Sequence, residues 1–197
     1  MPTLFRTLLL SLLLLQSGCI WTYRGTPYPA IPAWPPPPAP SEKSLGILIT
    51  ADDVSNGQAV EDIRDLLCAA ESAAYQAFKE SGRFKTVGLN RRENVDYVAH
   101  VKVARQQTDR AGWWTWASLF LIPSSGEVRN DVTLDLLTAD GRSVGRYTQT
   151  AVHGGYLQFL LLVAFPIEIL SGPYTTDRAL GETFRSLVSE AIQSGTL

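Results

Sequence analysis

Eight of the twelve prolines fall within residues 27–40, four of them in succession at Pro35-Pro36-Pro37-Pro38. Proline fixes φ and removes a backbone donor, so this stretch cannot form a helix interior or a central strand. It favours extended polyproline II and contributes no packed core. The segment therefore divides the chain into a short leucine-rich beginning and a long domain-sized remainder. It reads as a semi-rigid spacer at about 3.1 Å per residue. A ligand for a proline-recognising domain is the alternative, set aside because such domains are mainly cytosolic.

The beginning has its own logic. Arg6 supplies positive charge, and residues 8–15 are leucine except for Ser11. Gln16, Ser17 and Gly18 follow, then Cys19. Charge, a short apolar run and small residues before a cut site make an export signal. The run is too short to span a bilayer, which takes about 20 apolar residues. The Ser17-Gly18-Cys19 ending resembles the lipobox of bacterial lipoproteins, with Gln16 where that family usually has leucine. The resemblance implies cleavage before Cys19 and a diacylglycerol on its thiol. Residue 20 is Ile rather than Asp, which in the sorting pattern of that class implies the outer membrane, facing the periplasm. The expected organisation is a signal peptide at 1–18, a lipidated proline-rich linker at 19–43 and one domain at 44–197.

The charge is nearly balanced, with 17 basic and 19 acidic residues and a net charge of −2. Nucleic-acid binding needs a basic face, so no nucleic-acid partner is expected. Besides Cys19 the chain has only Cys68, so no disulfide framework exists within it. Cys68 lies among Leu66, Leu67, Ala69 and Ala70 and reads as a buried small hydrophobe.

Hydrophobic periodicity outlines the domain. Residues 45–50 form an apolar run that reads as a buried strand, broken by Asp52-Asp53 and Ser55-Asn56-Gly57. A helix is predicted over 58–81, since Val60, Ile63, Leu66, Leu67, Ala70, Ala74, Ala77 and Phe78 share one face. Gly82 suits its end. Strands are predicted at 84–89, 95–105, 128–137 and 143–152, with Asp140-Gly141 as a hairpin turn. A second amphipathic helix covers 178–193. The order β-α-β-β-β-β-α argues an α+β domain, a mixed sheet with helices packed on one face. This order resembles the anticodon-binding-domain-like fold of envelope export and assembly lipoproteins. Members of that group form rings, so the resemblance implies a homo-oligomer as one kind of partner.

Two connections are unusual. Residues 113–122 and 156–165 are strongly apolar, and each runs into a proline. Connections are normally polar. Trp113, Trp114, Trp116, Phe120, Tyr156, Phe159 and Phe165 are the candidate contact residues. Tryptophan and tyrosine suit a membrane interface, and large apolar patches mark protein interfaces. Folding back to complete the core is the third possibility. If Asn90–Asn94 reverses the chain, both segments lie at the end of the sheet where residue 44 enters.

Chemistry is harder to find. His100 and His153 lie on separate strands and read as structural. Asp52-Asp53 reads as a turn rather than a cation site, because calcium needs six or more oxygens. Asp131, Asp135 and Asp140 read as water-facing. No G-x-S-x-G elbow, HExxH or P-loop occurs. The reading is a non-enzymatic, lipid-anchored envelope protein without metal or cofactor. It acts in envelope assembly, export or maintenance, through the membrane, an envelope protein or a second copy of itself. The alternative is an envelope-glycan binder using the Trp113–Trp116 cluster.

Overall fold

The computed structural model describes residues 19–24, 31, 33–37, 39, 41–110, 124–158 and 176–197. Their elements are β1 (Cys19–Arg24), β2 (Ser44–Ser55), β3 (Gln58–Ala59), α1 (Arg64–Glu80), β4 (Thr86–Leu89), β5 (Tyr97–Asp109), β6 (Ser124–Thr138), β7 (Ser143–Gln158) and α2 (Thr176–Gln193). The sheet runs β1-β7-β6-β5-β2-β3, with β4 pairing β2 beside β3. Strands β4 and β5 are parallel to β2, and the remaining pairs are antiparallel. The α+β class with a mixed sheet is the one expected.

Alternation decides which face is covered. Leu45 and Ile47 of β2, Ala99, Val101 and Val103 of β5, and Val132, Leu134 and Leu136 of β6 are buried. Against them pack Leu66, Ala70, Ala74 and Phe78 of α1 and Leu180, Phe184, Leu187 and Val188 of α2. The intervening positions face water and carry cross-strand polar pairs. Examples are Lys102 with Asp52 at 3.0 Å, and Arg146 Nη2 with Asp135 Oδ2 at 2.9 Å. One helix layer therefore covers one face, and among the described residues the other is mostly polar, with residues 90–95 lying over β2.

Helix α1 starts later than its periodicity implied. Asn56 (φ 49°) and Gly57 (φ 80°) take the left-handed pair that a tight hairpin requires. Strand β2 consequently continues through Asp52-Asp53, rather than breaking there, and turns into β3. The Val60 N–H then donates to the Asp53 carbonyl at 2.9 Å, which holds Val60 outside the helix. Cys68 is exposed rather than buried. It lies two residues from both Leu66 and Ala70, and two residues turn a helix by roughly 200°, to its far side.

The largest departure concerns direction. The segment 90–95 does not reverse the chain. It crosses the open face of β2, so that β5 runs parallel to β2 on the other side from β4. Asn90 (φ 53°) and Asn94 (φ 55°) bracket the crossing. The passage is tight, because a Cβ on Gly46 would stand 1.9 Å from the Arg91 carbonyl oxygen. Gly88, the register partner of Gly46, lies under the Arg91 side chain. Two adjacent glycines thus make the floor of the crossing.

The linker reading of 19–43 also changes in part. Cys19–Arg24 is an edge strand, paired from Cys19 with Gln158 to Arg24 with His153. Trp34 packs against the core, and its indole N–H donates to Glu80 Oε2 at 2.8 Å.

The crossing carries a test. Gly46→Ala should lower stability by about 3 kcal/mol, at the upper end for an overpacked site, measured by urea denaturation. A loss below about 0.5 kcal/mol would mean the crossing gives way easily.

Candidate functional site

The strand directions define two ends of the sheet. At one, β2 and β5 begin, β6 finishes and β7 begins. At the other, β5 and β7 finish and β6 and β1 begin. Register fixes this second end: Cys19 pairs Gln158, Leu157 pairs Ser124, and Asp109 pairs Gly126. The Arg110 N–H donates to the Ser125 carbonyl at 2.8 Å. This is the Cys19 end.

Of the sequence-predicted contact residues, Trp113, Trp114, Trp116, Phe120, Phe159 and Phe165 lie outside the described residues. Tyr156 belongs to β7, where it pairs with Trp21 and Ser125. The strands flanking residues 111–123, and the strand and helix flanking 159–175, meet those stretches at the Cys19 end. Residue 44 lies at the opposite end. The strands leading into the two segments therefore reach them at the end opposite residue 44. Cys19 lies at that same end, because β1 begins beside the end of β7.

Below this end lies a polar row that periodicity alone did not single out. Asp53, Arg105 and Asn130 are register neighbours on β2, β5 and β6, all in the helix-facing phase. His153 faces the same way one step nearer the end. The Asp53 side chain is 2 % exposed and accepts two hydrogen bonds from the Arg105 guanidinium, one of them 2.9 Å from Nε. That bond raises the Arg105 pKa. Asn130 is fully buried, and among the described residues neither its Nδ2 nor its Oδ1 has a hydrogen-bond partner. Burial, and secondarily the charge of Arg105, hold the His153 imidazole below the ordinary histidine pKa. One step toward the other end the same face is Ala51, Val103 and Val132. The row is thus a polar lid on the apolar core.

The signal for the row was present in the strands. Asn130 interrupts the buried phase of Val128, Val132, Leu134 and Leu136, and Arg105 ends that of Val101 and Val103. A polar residue at an inward phase, on three strands at one register level, is the mark.

The remaining polar candidates do not converge. Asp52 and Asp53 face opposite sides of the sheet, so they form no joint cation site. His100 is on the open face and His153 on the covered one. Asp131 and Asp135 pair with Arg129 and Arg146, and Asp140 accepts from Thr138 in the hairpin turn. Among the described residues no group of three His, Cys, Asp or Glu is placed to hold a metal ion. None of their helices is long and apolar enough to cross a membrane.

No protein-family model matches the sequence, and no curated protein is significantly similar to it. Solved structures are similar at low identity. A Xanthomonas campestris protein of the DUF330 family is 17 % identical, over 81 % of this chain and 91 % of its own, with a TM-score of 0.39. A minor lipoprotein from Acinetobacter baumannii is 14 % identical, over 80 % and 95 %, with a TM-score of 0.41. A PelC dodecamer from Paraburkholderia phytofirmans is 16 % identical, over 86 % and 97 %, with a TM-score of 0.35.

Two tests address the row. An unsatisfied buried amide costs about 1–3 kcal/mol, so Asn130→Leu should raise stability by about 1 kcal/mol in urea. A loss would show that the amide is satisfied. His153 is easier to protonate unfolded than folded, so stability is full above about 6.5, the ordinary value, and falls as pH drops below it. His153→Gln should flatten this slope between pH 7 and 5. An unchanged slope would assign the acid sensitivity elsewhere.

Proposed function

We propose that this chain is a lipid-anchored, non-enzymatic envelope protein. It is exported, cut before Cys19 and held by lipid on that residue at the outer membrane, facing the periplasm. It serves envelope assembly, export or maintenance through contacts made at the Cys19 end. Residues 113–122 and 156–165 supply those contacts, with Trp113, Trp114, Trp116, Phe120, Tyr156, Phe159 and Phe165 as the contacting side chains.

One observation carries the reading. It is supported by the pairing of Cys19 with Gln158, since lipid on Cys19 would then sit beside the strands that lead into both apolar segments. Acyl chain and apolar segments then meet the same surface.

Cys19→Ser should move the protein from the membrane to the soluble fraction. Tight attachment of that variant would mean that the signal is retained or that the apolar segments anchor unaided. Residues 19–197 without lipid should float with liposomes or assemble into a defined oligomer, and Trp113→Ser with Trp114→Ser should abolish either behaviour. A monomer that ignores liposomes would remove the Cys19 end as the working surface.

A further inference from the structure

Resting on that reading, we infer that the proline-rich segment is a strap and not a tether, so the lipid holds the Cys19 end of the sheet directly against the bilayer surface. The two alternatives differ greatly in reach. If residues 19–43 were a free spacer, residues 25–43 alone would extend roughly 60 Å at 3.1 Å per residue. The domain would then range over that height, and any of its faces would meet the membrane.

The register removes this freedom. Cys19 is itself a strand residue, and six consecutive pairs bind Cys19–Arg24 to residues 153–158. The proline-rich segment leaves β1 at one side of the sheet and enters β2 beyond β7, β6 and β5. That is four strand spacings, roughly 19 Å, spanned within one domain. It is also pinned on the way. Trp34 packs against the core, and Glu80, which accepts its indole N–H, pairs with Arg185 of α2 at 3.3 Å. Lengthening such a strap adds slack along the domain and does not alter the distance from lipid to sheet.

The consequence is an orientation. Bilayer lipid is the partner of the Cys19 end, and the Asp140-Gly141 turn, at the start of β7, is the far pole. The 16 residues of β7 separate the two by roughly 50 Å at about 3.3 Å per residue. Cys68, in the second turn of α1, is on the near half and exposed, which makes it a native labelling site.

The test uses the lipidated full chain in vesicles of phosphatidylethanolamine and phosphatidylglycerol containing an acceptor-labelled lipid. A donor dye is attached at Cys68, or at Asp140→Cys in a Cys68→Ser background. Transfer should be strong from Cys68 and several-fold weaker from residue 140. Inserting ten Gly/Ser residues between Gly25 and Thr26 should leave both values unchanged. A fall in transfer from Cys68 on insertion, or equal transfer from the two sites, overturns the strap. Because the insertion can impair folding, the pairing is tested independently. Thr22→Cys with Gly155→Cys, register partners, should form a disulfide in a Cys68→Ser background. A chain that floats with vesicles without forming this disulfide overturns the strap alone. A chain that forms it and does not float overturns the lipid-anchored reading and the orientation with it.

Discussion

The placement of every later strand depends on how closely the backbone passes over Gly46. With no side chain there, residues 90–95 lie flat on the open face of β2, and β5 enters beside β2 in parallel. A bulkier floor would push the segment outward, where a polar turn would more naturally return the chain antiparallel. Reversing β5 would also reverse β6, β7 and β1. The end of the sheet at which Cys19 lies relative to residue 44 is thus set by a clearance of one methyl group, some 100 residues of chain being oriented by it.

The apolar core is conventional in composition and asymmetric in its closure. Toward the start of β2 it ends in aromatic and aliphatic packing, with Phe78, Phe84 and Tyr97 in edge-to-face contact at ring separations of 6.2 Å. The C-terminus is fastened at this half by the Tyr147 hydroxyl, 2.7 Å from Ser194 Oγ and 2.6 Å from Thr196 Oγ1. Toward Cys19 it ends in a buried ion pair and a fully buried amide. Replacing a buried pair by apolar groups is often stabilising, whereas removing one partner costs about 3–5 kcal/mol. A polar rung of this kind adds little to stability.

Much of the fold was legible in the chain. The Asp140-Gly141 hairpin, the strands at 97–105, 128–137 and 143–152, the second helix and the first helix from Arg64 onward appear where the pattern put them. The departures share a cause, which is that short-range signals in the chain do not encode long-range geometry. Asn90–Asn94 has the composition of a reversal, yet only the neighbouring glycines of β2 and β4 reveal a crossing. Cys68 has apolar neighbours in sequence, but helical rotation turns it outward. The strand at Cys19–Arg24 adjoins the proline-rich stretch, and its partner is 129 residues away at its nearest pair, so nothing local marks it. The polar row required comparing the inward phases of three strands at once. The Ser17-Gly18-Cys19 ending is a linear signal, so reading it needs no long-range geometry.

Strand β1 also carries a consequence for the order of assembly. Its partners lie at residues 153–158, so the first strand in chain order completes one of the sheet's most non-local contacts. Loop closure over such a distance adds little to the equilibrium cost, about 0.6 kcal/mol per doubling of length. Its effect is on rate, because non-local pairing is slow. Residues 44–109 can form β2, α1, β4 and β5 from near neighbours, but β1 has no seat until β7 exists. The sheet therefore grows back toward β1, and the strand that comes first in the chain is fitted last.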